Sequence, residues 1–247
     1  MPTGERIIEI TGVAYSYPGA PVVLEGVDLV VKRGERIGII GANGAGKTTL
    51  FHLIMGLIRP SSGNIAIFGR PVRKERDFLD VRRRIGFLFQ NAEDQLFCPT
   101  VKEDVAFGPL NLGKTAVEAA EIVQRVLQIL GIDGFENRIS HKLSHGEKKL
   151  VALASVLAMD PEALILDEPT AGLDRETKTR LAELLSKLDL TVLATSHDMD
   201  FMSRITDTFY GLDEGRLGKT DLVIPHTHVH VHPGGEYYHR HDDEYPQ

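Results

Sequence analysis

Residues 41–48, GANGAGKT, set Gly41, Gly44 and Gly46 ahead of Lys47 and Thr48. This is the spacing G-x-x-x-x-G-K-[ST] of a phosphate-binding loop. Without Cβ atoms the glycines let backbone N–H groups close around phosphate oxygens, Lys47 reaches the β- and γ-phosphates, and Thr48 offers a hydroxyl to Mg²⁺. Asn43, Ala45 and Thr49 complete the same stretch. A second group follows in ALILDEP, residues 163–169, where an apolar run ends on Asp167 and Glu168. Alternation along a strand would point these two side chains apart and give them different tasks. Phosphoryl transfer needs positioning and charge neutralisation more than covalent help. Asp167 is therefore expected in the Mg²⁺ shell and Glu168 on the attacking water. Both sets together predict hydrolysis of MgATP.

Such groups work only if strands and helices hold them. The loop follows the run Arg36–Ile40 and precedes the helical TTLFHLIMGL, as phosphate binding at a helix N-terminus requires. Further strand-like runs lie at 6–17, 22–31, 64–68, 85–89, 163–166, 191–195 and 208–212. The first two and 64–68 alternate apolar with polar residues, whereas ALIL and TVLAT are continuously apolar, so two sheets are expected, one antiparallel and one with buried parallel strands. Thr100-x-x-Glu103, Thr115-x-x-Glu118 and Ser144-x-x-Glu147 read as helix-starting capping boxes, and the second helix should stop at Gly131. The fold expected is α/β: a P-loop ATPase core with a mixed sheet, an antiparallel β subdomain and a helical subdomain inserted at about 91–160. This domain would span 1–225, with a His-rich tail over 226–247.

Composition narrows the classes. Of 247 residues, 42% are hydrophobic and 26% charged, as in ordinary globular chains. One cysteine, Cys98, allows no internal disulfide and fits a reducing compartment. No apolar run reaches the roughly 18 residues of a membrane span, and MPTGERIIE lacks a signal-peptide core. With 28 basic against 35 acidic residues, net charge is −7, which argues against nucleic acid as the partner.

Between and after the two chemical groups come LSHGE at 143–147, AGLD at 171–174 and TSHD at 195–198. In this order the chain, from about residue 6 to 224, resembles the ATP-binding subunits of ABC transporters. The resemblance makes LSHGE the signature motif, with Ser144, Gly146 and Glu147 facing nucleotide. It makes Asp174 the D-loop aspartate and His197 the switch histidine. Gln90 falls at the Q-loop glutamine, a Mg²⁺ and catalytic contact beside Lys47, Glu168 and His197. Tyr17 falls where an aromatic stacks on adenine. The commoner signature is LSGGQ, so His145 and Glu147 are departures. A signature that cannot reach its own P-loop implies a head-to-tail dimer, with a second copy or a paired ATPase.

Residues 87–113 resemble most closely the energy-coupling-factor branch, whose ATPases drive vitamin and transition-metal uptake. That implies a place at the cytoplasmic face of the membrane, beside a transmembrane coupling protein and a membrane substrate-binding subunit. Asp94, Gln95, Phe97 and the basic Arg82, Arg83 and Arg84 are candidate contacts for the coupling protein. The tail adds His226, His228, His230, His232, His239 and His241, six of the ten histidines. Alternation puts the first four on one face of an extended chain, and imidazole suits nickel and cobalt as well as zinc and copper. A His-rich terminus also resembles cobalt and nickel ATPases of the CbiO or NikO kind. A vitamin importer, a soluble metal-storage protein and a nucleic-acid-associated ABC ATPase remain the alternatives.

Overall fold

The computed structural model describes residues 4–220. The six tail histidines, and the metal ligation expected of them, lie outside those residues. The chain opens with β1 (Arg6–Ser16) and β2 (Val22–Lys32), an antiparallel pair, gives β3 (Arg36–Ile40) to another sheet, and returns as β4 (Ser62–Ile67) and the short β5 (Arg70–Pro71). The first sheet has the order β2-β1-β4-β5. Along β2, Leu24, Val27, Leu29 and Val31 are buried while Glu25, Asp28, Val30 and Lys32 face out. Gly26, at φ 64°, absorbs the extra residue that shifts the pairing between Leu24 and Val27, so the alternation changes phase there.

The second sheet has the order β10-β9-β3-β8-β7-β6, with β6 (Ile85–Leu88), β7 (Ala163–Asp167), β8 (Thr191–Thr195) and β9 (Thr208–Asp213) parallel to β3, and β10 (Arg216–Thr220) antiparallel to β9. Every residue of β7 and β8 is buried, which is why residues 163–166 and 192–194 are continuously apolar. Each strand serves two cores. Ala163, Ile165 and Leu193 pack with Phe51, Leu53 and Ile54 of α1 (Lys47–Ile54) and with the antiparallel sheet, whereas Leu164, Leu166, Val192 and Ala194 pack with the helices on the other face.

Helix α2 (Glu75–Arg84) runs into β6, and between β6 and β7 the chain is helical: α3 (Val101–Asn111), α4 (Ala116–Leu130) and α5 (His145–Leu157). All three begin at the expected capping boxes, and Gly131 closes α4 in the left-handed conformation at φ 61°. Then come α6 (Arg175–Lys187) and α7 (Met199–Ile205), capped by Asp174 and Asp198. The expectations did not include β10 or α7. Strand β10 is polar and held by pairing with β9, and α7 is only seven residues long, too short to establish a period.

The basic run at the end of α2 also makes contacts within the chain. Arg82 donates to the carbonyls of Met55 and Gly56, closing the end of α1, and Arg84 pairs with Glu162 and lies 3.4 Å over the Phe68 ring. Two of the three arginines are thus committed to internal packing, leaving Arg83 exposed. Gln95 is likewise engaged internally, while Asp94 and Phe97 face outward.

Candidate nucleotide-binding and hydrolysis site

Parallel strands bring their carboxyl ends to one edge, and here β3, β6, β7 and β8 deliver the P-loop, Gln90, Asp167 with Glu168, and His197 in turn. Residues 41–46 turn between β3 and α1. A methyl group at Gly41 would meet the Leu212 carbonyl oxygen at 2.3 Å, and Gly46 takes φ 104°, so neither position accepts a side chain at low cost. Lys47, almost fully buried, donates to the carbonyls of Gly41 and Ala42 at 2.7 and 2.9 Å, folding its ammonium across the loop. Asn43 and Gly44 are exposed, and Ala45 is half-buried. Thr49 is buried and shares a 3.1 Å hydrogen bond with the hydroxyl of Tyr17, whose exposed ring packs edge-on against Tyr15. That bond ties the aromatic to the start of α1.

Thr48 donates its hydroxyl to Asp167 at 2.7 Å. Asp167 is 1% exposed, and burial raises its pKa, with the neighbouring Glu168 charge adding to the rise and the Thr48 hydrogen bond opposing it. A hydroxyl and a carboxylate joined at the P-loop form an all-oxygen donor pair of the sort Mg²⁺ takes.

Glu168 does not diverge from Asp167 by strand alternation as expected. The strand ends at Asp167, and Glu168 stands at φ 48°, a left-handed conformation that costs a residue with a side chain about 1 kcal/mol or more. Its N–H donates to the Thr195 carbonyl, pinning the turn to β8. Its Oε2 accepts the His197 N–H at 3.3 Å, and His197 Nε2 lies 3.5 Å from Oε1. That approach lacks hydrogen-bond geometry, so Oε1 is buried without a hydrogen-bonding partner. A buried carboxylate oxygen with free lone pairs beside a phosphate-binding loop is suited to holding a reacting water.

Ser144, Gly146, Glu147 and Asp174 form a separate group, and no hydrogen bond among the described residues joins them to the P-loop. Ser144 caps α5, Glu147 accepts the Ser144 N–H at 2.8 Å and pairs with Arg138 at 2.7 Å, and Arg138 together with that N–H holds the Glu147 carboxyl below its ordinary range. Asp174 accepts from the N–H and hydroxyl of Thr177 at 2.9 and 2.7 Å, which lowers its pKa. The ring of His145 lies against Gly172, so closely that a methyl group there would sit 2.1 Å from Cδ2.

Sequence reasoning missed Lys149. It is 1% exposed on α5, donates to the carbonyls of Phe89 and Gln90 at 3.2 and 2.5 Å, and has its pKa lowered by burial against the opposing pull of Asp167 and Glu168. Its only trace in the sequence is a lysine on the same stripe as Ala152, Leu153 and Val156. Half-buried His52, between Phe87 and Phe89, was also missed, and burial lowers its pKa. Among the described residues, no cluster of three or more His, Cys, Asp or Glu could hold a further metal, and no helix is long and apolar enough to cross a membrane.

A phosphate loop at the end of a parallel strand, with a Thr–Asp pair and a half-buried glutamate beside it, defines a P-loop ATPase that uses ATP and Mg²⁺. The chain belongs to the ABC transporter family, whose model, described as "ABC transporter", matches residues 24–171, and it is an ATPase subunit of that family. A relative in Nitratidesulfovibrio vulgaris, named for the ABC transporter ATP-binding proteins, is 49% identical over 97% of this chain and 88% of its own length. The energy-coupling factor transporter ATP-binding protein EcfA of Methanothermobacter thermautotrophicus is 45% identical over 85% of this chain and 69% of its own. Among solved structures, cbiO1 of Clostridium perfringens, described as part of the ABC transporter complex cbiONQ, superposes with a TM-score of 0.77 at 36% identity, covering 86% of this chain and 87% of that one. The cassette MJ0796, solved as a dimer in a post-hydrolysis state with ADP and Pi, gives a TM-score of 0.79 at 27% identity over 86% of this chain and 98% of that one.

Proposed function

We propose that this chain is the ATP-hydrolysing motor of an energy-coupling-factor importer for cobalt or nickel ions, acting at the cytoplasmic face of the membrane. The observation that carries the ATPase reading is Glu168: a half-buried carboxylate on a strained backbone, with one buried oxygen unpartnered, set beside Thr48–Asp167 and backed by His197. Residues 41–49 hold the phosphates, Lys47 leaving its loop carbonyls for the β- and γ-phosphates, and the Tyr17 ring takes the adenine. Bound Mg²⁺ supplies charge neutralisation, with Thr48, Asp167 and Gln90 as its protein ligands. Glu168 orients the attacking water through Oε1, and His197 steadies both that carboxylate and the γ-phosphate.

A second copy places its Ser144, Gly146, Glu147 and Asp174 over this ATP, with Glu147 presenting the start of α5 through its cap. Exposed Asp94 and Phe97 meet the transmembrane coupling protein, which works with a membrane substrate-binding subunit. The metal reading is supported by the six histidines from His226 to His241, and the energy-coupling-factor reading by relatives named EcfA and by the likeness to cbiO1.

The test is ion accumulation in vesicles carrying the complete complex. ATP should drive uptake of Co²⁺ or Ni²⁺, and Glu168→Gln should abolish it while ATP still binds, with kcat lowered by about 100-fold or more. A chain cut after Ile224 should bind fewer metal ions yet keep ATPase activity within a few fold. Uptake of neither ion sinks the metal reading, and an active Glu168→Gln chain removes Glu168 from catalysis.

A further inference from the structure

The segment after β6 carries Gln90 but is bound mainly to a helix of the other core. Lys149 Nζ spans the carbonyls of Phe89 and Gln90, Gln95 donates to the Ala152 carbonyl and accepts the Phe89 N–H, each at 3.4 Å, and Glu93 pairs with Lys148. These ties differ in strength. The Glu93 carboxylate is 58% exposed and its pair is screened by water, and both Gln95 bonds are long. Lys149 is 1% exposed, so its ammonium has little water to bond instead, and its loss would remove the donor that both carbonyls share. On the strand side, the last paired residue is Leu88, opposite Leu166.

We infer that Lys149 is a positioning residue that holds the backbone of residues 89–90 against α5 and so sets where the Gln90 side chain stands relative to the Thr48–Asp167 pair. Lys149 touches neither substrate nor metal, and acts through the backbone of Gln90. The inference rests on the reading of Gln90 as a Mg²⁺ and water contact, and goes beyond it by naming what holds that residue in place.

The test is a double-mutant cycle on the full chain, with ATP hydrolysis, ATP affinity and thermal unfolding measured on each member. Lys149→Met should lower kcat by about 10-fold or more while KM for ATP stays within about 3-fold, because the P-loop is untouched. Lys149→Arg, which retains donors and charge, should recover most of the lost rate. In a Gln90→Ala background, Lys149→Met should cost less than about 2-fold further, since the two act in one unit. Should Lys149→Met not fold, Lys149→Gln replaces it in the cycle with the same expectation. Multiplicative losses, or a raised KM at unchanged kcat, overturn the coupling while leaving Gln90 in its role. Full activity of Gln90→Ala alone overturns the role of Gln90 and the coupling with it.

Discussion

At Asp167 burial and chemistry oppose each other. Folding places its carboxylate at 1% exposure and raises its pKa, so the ionised form is disfavoured in the folded chain. The penalty is full above the folded pKa and fades as pH falls below it, the reverse of the usual salt-bridged aspartate. Asp167→Asn keeps an acceptor for the Thr48 hydroxyl and removes the charge. The nucleotide-free variant should therefore melt higher than the parent near neutral pH, with the gap closing on acidification, and should lose the stabilisation that MgATP gives the parent. Melting curves across pH, with and without MgATP, check both parts, and identical curves for variant and parent would discard the burial argument.

Among the elements, the start of α5 and the turn before α6 are fitted to one another. His145 occupies a place where the commoner signature has glycine, and its ring fills the space that a side chain at Gly172 would need. Gly172 also has φ 77°, so Gly172→Ala should be destabilising on two grounds. His145→Gly in the same chain should relieve the steric part and leave about 1 kcal/mol of backbone cost. Denaturant unfolding of the single and double variants separates the two, and no recovery in the double variant would refute the contact. Local chemistry made much of this legible in advance. The three capping boxes, Gly131 and the apolar runs within β7 and β8 are each settled within a few neighbouring residues. Strand alternation, from which the divergence of Glu168 from Asp167 is argued, does not apply, because the left-handed turn at Glu168 is held by Thr195, on a strand 27 positions later. Lys149, Arg82 and Arg84 look like surface charges until distant carbonyls, a glutamate and a ring are brought to them, and periodicity carries no such information.

In the whole molecule, the Ser144 group and the Lys47 group are assembled separately, which suits a site completed between two chains. Mixing a Lys47→Ala chain with a Ser144→Arg chain should restore partial hydrolysis from two inactive parents, because one of the two composite sites in the mixed pair carries neither defect. Absence of recovery where mixed pairs demonstrably form would argue for a site complete in one chain. The order of the second sheet has a consequence in time. Strand β3, which presents the P-loop, hydrogen-bonds to β8 and β9, and these end at Thr195 and Asp213. During synthesis the phosphate loop is therefore made early but stays unsupported until nearly the whole ATPase domain has emerged. A chain interrupted before β9 lacks a strand that seats the P-loop, so nucleotide capture should begin only once synthesis has passed about Asp213.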